Sequence, residues 1–79
     1  MIPQKKGGGD VSKLAELRRG LKLSQTEAGK KAGLSQAVVS LVEGRRLVAS
    51  ERYRQRFARA YGFEGKESEF FDAKTGLAR

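Results

Sequence analysis

Apolar residues recur at helical spacing along this chain, and small capping residues separate the apolar segments. The densest part of the pattern is residues 24–44, where two short amphipathic segments are separated only by Gly33 and Leu34. Each segment opens with a Ser-Gln pair. A turn this short holds two helices at a fixed angle. The pattern therefore predicts an all-α fold with a tight bihelical unit near its middle.

The capping residues predict the limits of the first of these two helices. Ser24 followed by Glu27 is a capping box, in which the hydroxyl and the carboxylate each satisfy a free backbone amide. The helix is expected to run from Gln25 to Ala32. Gly33 can adopt the positive φ that ends a helix, and Leu34 then enters the core.

Ser35 is the expected cap of the next helix, which we predict over Gln36–Glu43 with Gly44 as its stop. Its inward side would carry Val39 and Val42, with Val38 at the edge. The outward side chains are Gln36, Ala37, Ser40 and Leu41. A solvated face would normally be richer in Lys and Glu, whereas a face that meets DNA base edges uses amides, hydroxyls and methyl groups.

Asp10 is the expected cap of an earlier helix over residues 11–21. Its apolar stripe consists of Leu14, Leu17 and Leu21. Arg18 lies within this stripe. A guanidinium among leucines is costly unless it is paired, so the position predicts a buried or half-buried carboxylate partner.

Ser50 is the expected cap of a fourth helix that ends at Tyr61 before Gly62, with one apolar and one basic side. The basic stripe, Arg52, Arg56 and Arg59, is mainly expected to be solvated charge. A short fifth helix is predicted over 67–75. All six aromatic residues lie at position 53 or later. Those of the tail either close the core over the first and fourth helices or form a dimer contact.

Composition limits the chemistry that this chain can carry. Its 79 residues suffice for one small domain, and it has neither cysteine nor histidine. Disulfides, the usual zinc sites and the usual nucleophile-base pairs are therefore excluded, so we expect no metal, no cofactor and no enzyme activity. No apolar run approaches the roughly 20 residues that span a bilayer. We expect a cytoplasmic protein without a membrane segment.

The net charge of +8 is concentrated in the front of the chain. Residues 1–60 contain 14 Lys or Arg against 5 Asp or Glu, whereas residues 61–79 contain 3 against 4. This balance predicts a polyanionic partner. Nucleic acid is the first candidate and an anionic membrane is the second. Residues 1–9 are expected to form a flexible basic arm, which is either inert or touches phosphates, and residues 10–79 the folded domain.

These residues resemble the phage-repressor and Cro (Xre-type) family of helix-turn-helix DNA-binding domains. The resemblance covers Leu14 to Phe63 and is carried by L-x-x-L-R, S-Q-x-E, Gly33 and S-Q-x-x-V-S-x-x-E-G. It implies a compact five-helix, lambda-repressor-like domain. It also implies that Arg18 pairs with Glu43, which would satisfy the guanidinium on the leucine stripe.

The resemblance also implies which residues meet double-stranded DNA. The expected base contacts are Gln36, Ala37, Ser40 and Leu41, and the expected phosphate contacts are Gln25, Ser35, Arg45, Arg46 and Arg52. The amide of Gln36 can accept from adenine N6 and donate to N7, a contact worth about 1–3 kcal/mol of discrimination. Leu41 either touches a thymine methyl or rests against the scaffold, and Ser35 can act as a cap alone.

One departure from the family pattern concerns packing. Ala28-Gly29 stands where the family usually has a larger aliphatic residue followed by alanine. The second helix is therefore expected to pack closer to the third and to lose about 1 kcal/mol of helix propensity.

The function expected from these features is sequence-specific transcriptional regulation, with repression favoured over activation, by a homodimer that uses the C-terminal third. A single recognition helix reads few base pairs, which favours two half-sites. The alternative is an antitoxin or adaptor whose C-terminal segment holds a protein partner and for which DNA binding is secondary. A third reading is an anionic-membrane binder through the arginine-rich fourth helix.

Overall fold

The computed structural model describes residues 12–79, which fold into five helices as the sequence predicts. They are α1 Lys13–Gly20, α2 Gln25–Ala32, α3 Gln36–Glu43, α4 Glu51–Tyr61 and α5 Glu67–Phe70. The bounds of α2, α3 and α4 are those predicted from their caps. The expected arm, residues 1–9, lies outside the described residues.

The first helix begins later than predicted. It starts at Lys13, and Ser12 is its cap, because the Ser12 hydroxyl accepts a hydrogen bond from the Ala15 N–H at 3.1 Å. The predicted cap, Asp10, lies outside the described residues. The helix ends at Gly20, so Leu21 is its C-cap and is 44% exposed rather than part of the buried stripe.

The capping box and the tight turn around α2 are confirmed. The Ser24 hydroxyl accepts from the Glu27 N–H at 3.0 Å, and the Glu27 carboxylate accepts from the Ser24 N–H at 2.9 Å. Gly33 has a φ of 72°, and the Leu34 N–H donates to the carbonyl of Gly29 at 2.8 Å. The last turn of α2 thus passes directly into the cap of α3.

The end of α3 differs in one detail from the expectation. Gly44 is the C-cap, but the positive φ of 60° falls on Arg45, and the Arg46 N–H donates to the Leu41 carbonyl at 2.9 Å. A left-handed conformation at a residue with a Cβ costs about 1–2 kcal/mol. The rest of the fold must therefore hold the chain at this point.

The core lies between the aliphatic faces of the first three helices and the aromatic residues of the tail. Phe57 on α4 is fully buried and contacts both Tyr61 and Phe71, with ring centroids 5.6 and 6.1 Å apart. Phe63 is also buried. Of the two roles left open for the tail aromatics, closing the core is therefore confirmed for Phe63 and Phe71.

The tail is fastened by a turn rather than by the longer helix predicted there. The prediction of a helix as far as Thr75 was wrong, because the Asp72 carboxylate accepts from the N–H groups of Lys74 and Thr75 and reverses the chain. Phe71 then pairs with Ala78 in an antiparallel bridge. These contacts bring the last residues of the chain back against the core.

Candidate nucleic-acid interface

A buried ion pair joins α1 to the end of α3. The Nε of Arg18 donates to Oε2 of Glu43 at 2.6 Å, and the two residues are only 7% and 3% exposed. Another guanidinium nitrogen of Arg18 donates to the Leu23 carbonyl at 2.7 Å, just before α2. The arginine on the leucine stripe therefore has the partner that the resemblance implied, and it fixes three segments relative to one another.

Tyr61 on α4 also contacts this pair, and its hydroxyl lies 3.4 Å from Oε2 of Glu43. Burial of the ring, and then the negative charge of Glu43, raise the pKa of Tyr61 well above its usual value of 10.0. The phenol therefore stays protonated at neutral pH and donates to the carboxylate.

Gln25, at the first position of α2, links the buried pair to the surface of α3. Its Nε2 donates to Oε1 of Glu43 at 3.1 Å, and its Oε1 accepts from Nε2 of Gln36 at 2.8 Å. Gln25 was expected to face a phosphate. Both ends of its amide bond within the protein, and one N–H remains for a further acceptor, so the expected phosphate contact stays a prediction.

The outward side of α3 is as predicted. Its exposed side chains are Gln36, Ala37, Ser40 and Leu41. Val39 and Val42 on the opposite side are fully buried. The only charged residue of this helix, Glu43, is itself buried, so the exposed face consists of an amide, a hydroxyl and apolar groups. That surface can approach base edges without a desolvated charge.

Basic and hydroxyl side chains precede and follow α3 along the sequence. Arg45 and Arg46 follow the end of α3 and Arg52 lies in the first turn of α4, all three exposed. The Nε of Arg45 donates to the Ala78 carbonyl at 2.9 Å, so this residue also holds the tail. The Ser35 hydroxyl accepts from the Val38 N–H at 3.2 Å and thus acts as a cap.

Sequence reasoning missed Arg19. It borders a polar pocket of about 290 Å³ together with Gln25, Ser40, Glu43 and Gly44. The signal was present in the sequence, because Arg19 is a charged residue that lies about 100° away from Arg18 around the helix and outside the stripe of Leu14, Leu17 and Leu21. The pocket places a cation beside the exposed face of α3.

The role of Gly29 in the turn was predicted only in outline. A Cβ built on Gly29 would lie 2.5 Å from the carbonyl oxygen of Leu34. The absence of a side chain therefore lets α2 approach the turn and the start of α3, as the Ala28-Gly29 pair suggested. Arg56 of α4 donates to the Gly33 carbonyl at 3.1 Å and secures the same turn from the other side.

Residues 12–79 contain neither a cluster suited to a metal ion nor a helix suited to a membrane. No group of three or more carboxylates, cysteines or histidines lies close enough together to hold a metal ion. None of the helices in this part of the chain has the length and apolar character needed to cross a bilayer.

The fold and this surface define a small all-α protein with a helix-turn-helix unit. Residues 11–71 match the family described as "Helix-turn-helix domain", and the chain belongs to that family. Comparison with curated proteins and with solved structures finds no significant match.

Proposed function

We propose that this protein is a sequence-specific DNA-binding regulator of the phage-repressor and Cro type that places α3 in the major groove. The observation that carries the proposal is the exposed face of α3, where Gln36 is held by Gln25 at 2.8 Å and no charged side chain is exposed. Ala37, Ser40 and Leu41 would contribute hydroxyl and methyl contacts on the same face.

The positive charge around α3 supports contacts with the DNA backbone. Arg46 and Arg52 are the candidates for phosphate contacts among the predicted residues, and Arg19 joins them from the pocket beside the exposed face of α3. Arg45 can reach a phosphate only with the guanidinium nitrogens other than Nε. Ser35 and Gln25 each retain one hydrogen-bond donor for the same purpose. Displacement of counterions by these cations would supply affinity that does not depend on sequence.

The proposal includes repression by a homodimer. One helix of eight residues contacts few base pairs, and two half-sites about one helical turn apart give the selectivity that a regulator needs. Binding alone suffices for repression, because a protein that occupies an operator excludes the polymerase. Phe63 and Phe71, two of the tail aromatics considered for a dimer contact or a protein partner, are buried in the protein's own core. This use of the tail favours DNA over another protein as the primary partner, and the proposed homodimer must form through residues other than these two.

Selection of bound duplexes from a random pool at fixed salt tests the proposal. The expected result is a symmetric site with two half-sites. Gln36→Ala is expected to keep the fold and to lose discrimination at one base pair of each half-site. Gln55→Ala is the matched control, because Gln55 lies on α4 beside α5 and away from the proposed face. A pool that yields no enriched sequence would rule out sequence-specific binding.

A further inference from the structure

A continuous chain of hydrogen bonds runs from the buried ion pair to the exposed amide on α3. The chain passes from Glu43 to Gln25 and from Gln25 to Gln36, over distances of 3.1 and 2.8 Å. Its inner end is only 3% exposed, and its outer end lies on the surface. A residue that DNA cannot touch is thus connected to the residue proposed to read a base.

The chemistry of Glu43 determines the direction of every bond in this chain. A carboxylate accepts hydrogen bonds and cannot donate. Its Oε2 receives the Arg18 Nε–H and the Tyr61 hydroxyl, and its Oε1 receives the Gln25 amide. Gln25 must therefore turn its Nε2 inward and its Oε1 outward.

The same argument then applies to Gln36. Because Gln25 presents an oxygen, Gln36 must turn its Nε2 toward Gln25. A flip of either amide would place two oxygens, or two N–H groups, against each other and would lose a hydrogen bond. Gln36 is left with its Oε1 and one N–H, and the position of the oxygen is fixed.

We propose that Glu43 is a specificity-determining positioning residue, which makes Gln36 prefer adenine to guanine by fixing the orientation of its amide through Gln25. Adenine offers a donor at N6 and an acceptor at N7 in the major groove, whereas guanine offers acceptors at both O6 and N7. The fixed Oε1 of Gln36 matches the adenine donor and repels guanine O6. A freely rotating amide could instead donate to guanine. The inference rests on the proposed function.

Two substitutions interrupt the chain at different points. Glu43→Gln keeps the shape of the side chain, but Arg18 and Tyr61 still donate to its oxygen, so its N–H groups face Gln25 and the direction of the bonds to Gln25 and Gln36 is reversed. Gln25→Met removes both links while leaving the pair between Arg18 and Glu43 intact. Gln55→Met on α4 is the matched control, since Gln55 takes no part in the hydrogen bonds that join Glu43, Gln25 and Gln36.

The measurement is competition binding with duplexes that carry adenine or guanine at the base pair whose discrimination depends on Gln36. Wild type and Gln55→Met are expected to prefer adenine, and both Glu43→Gln and Gln25→Met to reduce the ratio about fivefold or more. Circular dichroism identifies the variants that remain folded. If Glu43→Gln does not fold, Gln25→Met still tests the inference, because Gln25 is the link between Glu43 and Gln36.

Several outcomes would overturn the inference. An unchanged adenine preference in folded Gln25→Met would do so, and so would a selected site with guanine at that base pair. In both cases wild type still binds specifically, so the proposed function stands. If wild type selects no sequence, the proposed function and the inference fall together. Side-chain amide exchange in the free protein adds a structural reading, because the Nε2 protons of Gln25 and Gln36 should exchange more slowly than those of Gln55.

Discussion

Arg18 and Glu43, 25 positions apart in the chain, share a hydrogen bond of 2.6 Å in the interior of this protein. The bond joins α1 to the last residue of α3, and both partners are nearly inaccessible to water. Such a pair contributes little relative to a well-packed apolar substitute, but the loss of one partner leaves an uncompensated buried charge.

Glu43→Ala is therefore expected to lower the free energy of unfolding by about 3–5 kcal/mol. Urea unfolding followed by circular dichroism measures the change. Glu64→Ala is the control, because Glu64 contacts Arg59 at 3.8 Å with both side chains largely exposed, and exposed pairs contribute about 0–1 kcal/mol. Equal losses in the two variants would contradict the role assigned to the buried pair.

A second prediction compares two glycines at helical positions. Gly29→Ala places a Cβ 2.5 Å from the Leu34 carbonyl oxygen, whereas Gly20→Ala meets no atom within 4 Å. Alanine is favoured over glycine in a helix by about 1 kcal/mol. Gly20→Ala is expected to gain up to that amount, and Gly29→Ala to lose about 1–3 kcal/mol through overpacking. Thermal melts of the two variants give the sign of each change, and a stabilised Gly29→Ala would refute the close contact.

A third prediction concerns pH and Glu27. Hydrogen bonds from the Ser24 backbone and hydroxyl hold the pKa of Glu27 below its usual 4.5. Because the pKa is lower in the folded state, this group stabilises the fold above about pH 4.5 and loses that contribution as the pH falls through its folded value.

Glu27→Gln keeps an oxygen for the Ser24 N–H but cannot titrate. Wild type is expected to be the more stable protein near neutral pH, and its advantage should shrink steadily below about pH 4.5. Urea unfolding of both proteins at a series of pH values measures the difference between their free energies of unfolding. The titration of the other carboxylates is common to both proteins and cancels in that difference. An advantage that is constant from neutral to acid pH would show that the charge of Glu27 does not stabilise the cap.

A fourth prediction concerns the DNA backbone. Arg46→Ala is expected to weaken binding to all sequences alike and to reduce the slope of log affinity against log salt by about 1. Arg59→Ala removes the same charge, but Glu64 already lies beside that guanidinium at 3.8 Å. The slope of log affinity against log salt should therefore change less in Arg59→Ala than in Arg46→Ala. Binding titrations at four salt concentrations distinguish the two variants, and identical slopes would remove Arg46 from the phosphate contacts.

The local features of this fold could be predicted because each depends on residues close in sequence. Ser24, Ser35 and Ser50 accept hydrogen bonds from N–H groups three positions on, and Gly33 and Gly62 end helices at positive φ. Such capping needs no tertiary contact to be recognised. The pair between Arg18 and Glu43 was expected because the family pattern supplied a partner for a guanidinium on an apolar stripe.

The remaining features depend on contacts that the sequence pattern does not encode. Ser12 and Asp10 are both suitable caps by residue type. The cap at Ser12 is fully buried, and the Lys13 N–H beside it donates to the carbonyl of Arg79 at 2.7 Å, a contact with a residue far away in sequence. The tail helix stops early because the Asp72 carboxylate reverses the chain, and the bridge between Phe71 and Ala78, which this reversal allows, holds the tail in place. The inward orientation of Gln25 requires Glu43 and Gln36 to lie on either side of it, which only the assembled fold provides.

The hydrogen bond from Arg56 to the Gly33 carbonyl means that the bihelical unit, residues 24–44, depends on a residue outside it. Arg18 from α1 binds Glu43 at the end of the unit, and Arg56 from α4 binds the carbonyl of Gly33 in its turn. A synthetic peptide of residues 24–44 would leave the carboxylate of Glu43 without its guanidinium and expose two rows of apolar side chains to water. A graft of this segment onto another scaffold would therefore need both arginines to be carried with it.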